Sequence, residues 1–410
     1  MANMSRMLTT KVCALFFLAV LLAVILTLYH EKKEYSLVKL LRESENDPRA
    51  LTEALMVLKE RLDLEGTPLV EGNKVIFIYV SDQPLDVWVA GDWNGWSPSV
   101  DQLKRLGQTE FYYLIKEFPE DARLEYKFVI GERWISDPLN ERRAVDRPDY
   151  SVLTMPGYTP CPFLSQPWNY LMGNFTTLNI ESKYLGRNVS FHVYTPPNYH
   201  KSGRFPTIYF QDGSEYIKFG ALRILDIMIS KGEIRPIIAV FIDPTYRNCE
   251  YAMEDDYVNF LSEELVPFID KTYDTSRKRE ERCLIGDSLG GLIALYTALM
   301  KSEIFGMVIT QSGAFVPPRV LTAVCPKAAG RDIFEIAEKP TVMKLRINMQ
   351  WGKYDQIHWI NLCEENQRMA EILRKMGHEV NTEIVAEGHN WGNWINHLPE
   401  ALKEFFGRNS

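Results

Sequence analysis

The stretch Cys283-Leu284-Ile285-Gly286-Asp287-Ser288-Leu289-Gly290-Gly291-Leu292 runs from an apolar strand into the helical pattern Ile293-Ala294-Leu295-Tyr296, with one serine held between glycines at the junction. Gly286 to Gly290 fit G-x-S-x-G, and a strand before with a helix after is the context in which that spacing makes a nucleophile elbow. Such a turn strains the backbone at the serine. Side chains at 286 or 290 would clash with the neighbouring strand and helix, so the hydroxyl is lifted clear of the sheet. The helix beginning near Leu289 turns its N–H groups and the positive end of its dipole towards any oxyanion nearby. A glycine-rich turn with an incidental serine is the bland alternative, and the elements on both sides weigh against it.

From Lys183 onward the rhythm of the sequence suits an elbow. Strand candidates "VSFHVYTP", "TIYFQDG", "IIAVFIDP", "RCLIGDS", "GMVITQSG" and "KLRINMQWG" alternate with helical stretches such as Tyr257 to Tyr273. Short β-branched runs separated by helices imply a mainly parallel sheet covered on both faces. Residues 183–410 are therefore expected to form an α/β-hydrolase fold that binds ligands at the carboxyl ends of its strands.

A serine hydroxyl is a weak nucleophile at neutral pH and needs a base, usually a histidine held by a carboxylate. In this fold the partners follow the serine in the order acid, then histidine. His358, His378, His389 and His397 lie beyond Ser288. His358 and His397 fall on helical stretches, and His378 sits in a helix-to-strand turn where it is expected to be solvated. His389 alone comes in a turn just after a strand, in "TEIVAEGHNWGNW", where the last strand delivers the base; capping the following helix is its alternative role. For the acid, "LRINMQWGKYD" ends in Asp355 on the loop after the penultimate strand. The competing reading makes Asp355 the N-cap of a helix starting near Trp359. Glu364 and Glu365 compete from the outer face of that helix, and Glu387 lies very close to His389 in sequence. The oxyanion donors are expected to be the Leu289 N–H and that of Gly213 or Ser214, on the loop after "TIYFQDG". Ser288 would then attack an ester carbonyl while His389 takes its proton and Asp355 steadies the imidazolium, with no cofactor and no metal.

Ahead of this domain the pattern differs. Val12 to Tyr29 carries no charge and spans about 27 Å as a helix, enough for the hydrocarbon core of a bilayer. No small-residue cleavage site follows, so residues 1–33 are expected to be an uncleaved single-pass membrane anchor with the catalytic part outside the cytoplasm; a secretory signal peptide is the alternative. In a eukaryotic secretory pathway Asn174-Phe175-Thr176 and Asn188-Val189-Ser190 would be glycosylation acceptors. Residues 34–72 carry Leu37, Leu40 and Leu41, then Leu51, Leu55, Leu58 and Leu62, at helical spacing, broken at Asn46-Asp47-Pro48, which predicts two short helices. From Lys74 apolar residues alternate in "KVIFIYV", "DVWVAGDW", "EFYYLIKEF" and "LEYKFVI". Turns separate these runs at intervals of about ten residues, which reads as an antiparallel, immunoglobulin-like β-sandwich over 73–155. A proline-rich linker covers 156–182.

A chain of 410 residues with net charge −8 and no basic stripe argues against nucleic acid as a partner. Besides Cys13 in the apolar segment there are five cysteines, an odd number with no zinc spacing. They read as small buried hydrophobes, with a disulfide open if the domain is exported.

The stretches "GTPLVEG", "LVPFIDKTYDT", "CLIGDSLGGLIAL", "FGMVITQSGAF" and "GHNWGNW" carry a resemblance. From about Asp47 to the C-terminus the chain resembles the enterochelin (siderophore) esterases of a broad esterase family that also holds esterase D, feruloyl esterases and mycolyltransferases. The resemblance implies a serine carboxylic-ester hydrolase acting on a small-molecule or glycan-linked ester, with nucleophile, acid and base carried onto Ser288, Asp355 and His389. The chain departs from siderophore esterases in its expected anchor and in showing no basic cluster for a triply anionic catecholate. Gly91-Asp92-Trp93-Asn94-Gly95-Trp96, with Tyr126-Lys127-Phe128 and Arg133-Trp134, resembles the glycogen-binding module of the AMP-activated kinase β subunit and of isoamylases. That implies glucose rings stacked on Trp96 and Trp134, with Lys127 holding hydroxyls; a sandwich that only packs on the esterase domain is the other reading. Two further functions follow. One is a feruloyl or acetyl esterase on acylated polysaccharide, with the sandwich gripping glycan. The other is a catalytically silent, membrane-tethered carbohydrate-binding protein. Trp359, Trp391 and Trp394 flank the expected site, either as an aromatic acyl pocket or as helix packing.

Overall fold

The computed structural model describes residues 36–199, 203–357 and 360–408. The apolar Val12–Tyr29 segment, and with it the expected anchor, lies outside the described residues, as do His358 and Trp359. Among the described residues no helix is long and apolar enough to cross a membrane. The chain divides into two compact units, one of the residues before Asp86 together with Leu103–Glu117, the other of Asp86–Gln102 and the chain from Phe118 onward.

In the first unit the helices Leu37–Glu43 and Pro48–Glu65 begin where the sequence breaks. Asp47 caps the second by accepting from Arg49 N–H, with Pro48 in its first turn. Leu37, Leu41, Ala54 and Leu58 are buried with Ile76, Ile78, Phe111 and Tyr113 of a four-stranded antiparallel sheet. The alternation read in "KVIFIYV" and "EFYYLIKEF" is thus the helix-covered face of strands Lys74–Val80 and Phe111–Glu117.

The second unit opens with another antiparallel sheet, in which Arg123–Ile130 pairs with Trp88–Gly91 on one side and with Arg133–Ile135 and Ser151–Thr154 on the other. Arg123–Ile130 is buried along its whole length, including Arg123, Glu125 and Lys127 at alternate positions on one face.

The main sheet of this unit has eight strands: β1 (Asn174–Ser182), β2 (Arg187–Thr195), β3 (Thr207–Gln211), β4 (Ile238–Ile242), β5 (Arg282–Asp287), β6 (Met307–Gln311), β7 (Arg346–Tyr354) and β8 (Glu379–Gly388). Their order is β1-β2-β4-β3-β5-β6-β7-β8, parallel from β4 to β8 with β1 and β2 antiparallel at one edge. The sheet is therefore mixed, and its parallel part carries the hydrolase-like order. β1 lies in the stretch that the sequence reading leaves as linker. As an edge strand with one neighbour and a mostly exposed face, it lacks the apolar signal of a central strand.

Alternate residues of the central strands feed two cores. Tyr209, Leu284 and Val308 face the helices Asp255–Asn259, Leu289–Met300 and Leu362–Lys375. Ile208, Cys283, Ile285, Met307 and Ile309 face Ala221–Lys231 and Trp391–Phe406. The expected helix from Tyr257 to Tyr273 is present, interrupted by a π-helical turn at Phe260–Leu265. Cys249 and Cys325 form the disulfide that the sequence left open, while Cys161, Cys283 and Cys363 stay free and account for the odd count. The bond closes a sequence separation of 76 residues. Replacing both partners by serine is expected to lower the unfolding free energy by about 2–4 kcal/mol through the freer unfolded chain. The check is a urea curve under non-reducing conditions, and coincident curves would mean the bond contributes nothing.

Candidate active site

Ser288 joins β5 to the helix Leu289–Met300 with φ 51° and ψ −120°, a region that costs a residue with a side chain about 1–3 kcal/mol. Neighbouring backbone holds it there. Ser288 N–H donates to Gln311 O at 2.9 Å, and Ala314 N–H donates to Ser288 O at 2.8 Å. A Cβ on Gly286 would lie 2.3 Å from the backbone carbon of Gly290, so only glycine fits. At Gly290 the contact is milder, 3.1 Å to Asp212 Oδ2 on the loop after β3.

β8 ends at Gly388, and His389 follows before Asn390 caps the helix Trp391–Phe406 by accepting from Asn393 N–H. His389 Nε2 lies 3.0 Å from Ser288 Oγ. Asp355, fully buried at the end of β7, is aimed by the Gly352 N–H, which donates to its Oδ2 at 3.0 Å. Its Oδ1 stands 3.4 Å from His389 Nδ1, an ion-pair distance just beyond a formed hydrogen bond. Both atoms are buried and hydrogen-bond nothing else among the described residues. A proton on Nδ1 suits this arrangement, because it leaves Nε2 free to accept from the serine hydroxyl. The structure thus brings Ser288, His389 and Asp355 together. The helix-cap alternative for Asp355 falls away, since the next helix, Leu362–Lys375, is capped by Asn361.

The remaining candidates are engaged elsewhere. His378 is buried rather than solvated: its Nδ1 accepts from Leu345 N–H at 3.1 Å, and burial pulls its pKa down to about 4. His397 Nε2 meets Glu387 Oε1 at 2.7 Å; burial lowers its pKa, but the bond to Glu387 and the charges of Glu387, Glu383 and Glu400 together outweigh that and raise it. Trp391 packs on Tyr216 and Phe219, with ring centroids 5.0 and 4.8 Å apart, as helix packing. Trp394 stands edge-on to the His389 ring at 5.0 Å, and its indole donates to Ser312 Oγ at 2.9 Å.

On the oxyanion side, Leu289 opens the helix after the serine. Ser214 is corrected as a donor: its N–H gives to Asp243 Oδ1 at 2.8 Å and its hydroxyl to the same carboxylate. Gly213 remains, pressed so close to β4 that a Cβ would lie 2.5 Å from the backbone of Phe241 and Ile242. Sequence reasoning missed the clamp behind this loop. Arg247 donates to both oxygens of Asp212, at 2.7 and 2.6 Å, and lies 3.9 Å from Asp287. Burial, then the charge of Asp212, pushes the Asp287 pKa well above the carboxylate range. The signal was an arginine shortly after β4 in "DPTYR", but only the fold supplies its partners.

The residues expected to grip glycan are partly used by the protein itself. Trp96 donates to Asp92 Oδ1 at 3.2 Å and tilts against Tyr150, with Arg147 over both rings. Lys127 is buried and donates to Asp149 at 2.6 Å, while Trp134 is 39% exposed. Beneath them Asp92 accepts from Glu125 N–H at 2.7 Å, and Glu125 pairs with Arg123 and Arg147 at 3.0 and 2.7 Å. Burial, then Glu125, raises the Asp92 pKa to about 8.

Two outcomes follow. Ser288→Gly relieves about 1–3 kcal/mol of strain against a glycine cost of roughly 0.5–1 kcal/mol, so its thermal midpoint should rise; a fall would contradict the strained turn. Asp92 binds its proton more tightly folded than unfolded, so the stability it confers is full below pH about 4 and fades as pH rises through about 8. The melting temperature of Asp92→Asn should therefore decline less between pH 5 and 8 than that of the wild type, and parallel declines would refute the shift.

Comparison with known proteins gives the family of the chain. Residues 182–405 match the Esterase family, described as "Putative esterase". The uncharacterized Bacillus subtilis (strain 168) protein YjcH is 31% identical over 237 residues, covering 54% of this chain and 93% of that one. The iron(III) enterobactin esterase of Dickeya dadantii (strain 3937) is 24% identical over 288 residues, 66% of this chain and 64% of that one. The solved ferric enterobactin esterase of Salmonella typhimurium shares the fold at a TM-score of 0.67 and 20% identity, over 85% of this chain and 98% of that one. A ferulic acid esterase of Anaeromyces mucronatus does so at 0.51 and 17%, over 60% and 95%. Matched by that family over more than half its length, the chain belongs to the Esterase family and, with it, to the carboxylic ester hydrolases.

Proposed function

We propose that the chain is a serine carboxylic-ester hydrolase of the enterochelin esterase type, in which Ser288 is the nucleophile, His389 the base and Asp355 the carboxylate that holds it. The supporting observation is the 3.0 Å approach of His389 Nε2 to Ser288 Oγ across 101 residues of chain. Ser288 Oγ attacks the ester carbonyl as its proton passes to His389 Nε2. The imidazolium that forms faces the buried Asp355. The tetrahedral oxyanion is met by the N–H groups of Leu289 and Gly213 at the positive end of the helix Leu289–Met300. His389 then protonates the leaving alcohol, and water, deprotonated by the same imidazole, hydrolyses the acyl-serine.

The extent of the fold likeness supports the enterochelin esterase type over the feruloyl type, at 85% of this chain against 60%. A grip on glycan has less support, because Lys127 and Trp96 are already partnered. The intact serine–histidine contact argues against a silent binding protein. The uncharged Val12–Tyr29 segment supports attachment to a membrane with the esterase outside the cytoplasm, and the Cys249–Cys325 bond suits an oxidising compartment.

A fluorophosphonate probe should label the wild type and leave Ser288→Ala unlabelled. Asp355→Asn should lower kcat about 10⁴-fold and His389→Ala at least as much, on whichever of p-nitrophenyl acetate, methyl ferulate or a catecholate trilactone turns over fastest. Labelling that persists in Ser288→Ala would refute the assignment.

A further inference from the structure

We infer that the antiparallel sheet of Trp88–Gly91 and Arg123–Ile130 positions the proposed base: Asp92 and Arg123 grip the loop Gly388-His389-Asn390 from both sides of the histidine. The inference rests on the triad proposed above and gives the Gly91–Trp96 motif a task in ester hydrolysis.

On one side Asp92 fills the space where Gly388 has no side chain. A Cβ there would lie 2.2 Å from Asp92 Cγ and 2.5 Å from each carboxylate oxygen. Asp92 cannot yield easily, because the Glu125 N–H and the Trp96 indole both donate to it. On the other side Arg123 Nη1 donates to Asn390 Oδ1 at 2.9 Å, and a Cβ on Gly392 would lie 2.5 Å from the guanidinium carbon. Arg123 is itself buried, held by Glu125 at 3.0 Å and facing the charge of Glu387. Residues 388 and 390 are thus both in contact with the sheet, and His389 is the single residue between them. A buried charged cluster is expensive to assemble, and this one bears directly on that loop. Displacing a reacting group by about 1 Å costs on the order of 10² in rate, so Asp92 and Arg123 are positioning residues for His389.

The test uses the full chain and p-nitrophenyl acetate. Gly388→Ala is expected to lower kcat about 10²-fold with KM little changed, and adding Asp92→Gly, which opens the space, should recover most of that loss. Arg123→Lys, which keeps the buried charge without the fork, should lower kcat while the melting temperature stays within a few degrees. A folded Gly388→Ala with wild-type kcat, or a double variant no faster than the single one, would overturn the inference. If Gly388→Ala does not fold, Arg123→Lys decides, and an unchanged kcat would overturn it. Ser288→Ala run alongside separates the two levels: turnover surviving there refutes the triad, whereas turnover lost there but untouched in the sheet variants refutes the positioning alone.

Discussion

The site depends on a backbone conformation that a serine does not choose for itself. Ser288 is held at a positive φ by its hydrogen bonds with Gln311 and Ala314, at and just after the end of β6, and Gly286 lies so close to Gly290 that only its missing side chain lets strand and helix meet. The strain is local, and the parallel sheet around it, buried on both faces, supplies the stability that keeps it in place. Once the hydroxyl is fixed at the end of β5, the neighbouring strand ends determine what can reach it. β7 brings a carboxylate, β8 an imidazole, and the loop after β3 a crowded glycine beside a clamped aspartate.

Much of this was legible in the sequence because it is periodic or local. The central strands are short β-branched runs between helices, and each was placed to within a few residues. Ser288, Asp355 and His389 could be picked out because each sits in a turn just after a strand of the sheet, β5, β7 and β8. Less was legible where the outcome depends on a distant partner. β1 escaped notice because an edge strand has little reason to be apolar. His378 was misread as solvated because a turn residue reveals nothing about the Leu345 N–H that reaches it from just ahead of β7. Ser214 and Gly213 look equivalent until Asp243 is seen to take the Ser214 N–H. The Cys249–Cys325 bond joins the short helix Arg247–Glu250 to the end of the helix Pro318–Val324, with no shared motif.

The Gly91–Trp96 motif shows how local resemblance can mislead about use. Its tryptophan and the following lysine fit a carbohydrate-binding pattern, yet their polar atoms are satisfied by Asp92 and Asp149. The same turn places Asp92 under Gly388, so the motif's geometry is tied to the loop after β8. The two glycines in "EGHNWGN" leave spaces that Asp92 and Arg123 occupy. A charged residue at alternate positions of a buried strand is the one hint the sequence carried, since such residues need partners across an interface.

The most direct measurement is the mass of the protein quenched during turnover of p-nitrophenyl acetate, with the adduct mapped by peptide digestion. A transient acetyl group is expected on the peptide containing Ser288, absent when His389 is replaced by alanine. An acetyl group carried on another residue, or one that forms on Ser288 just as fast without the imidazole, would contradict it.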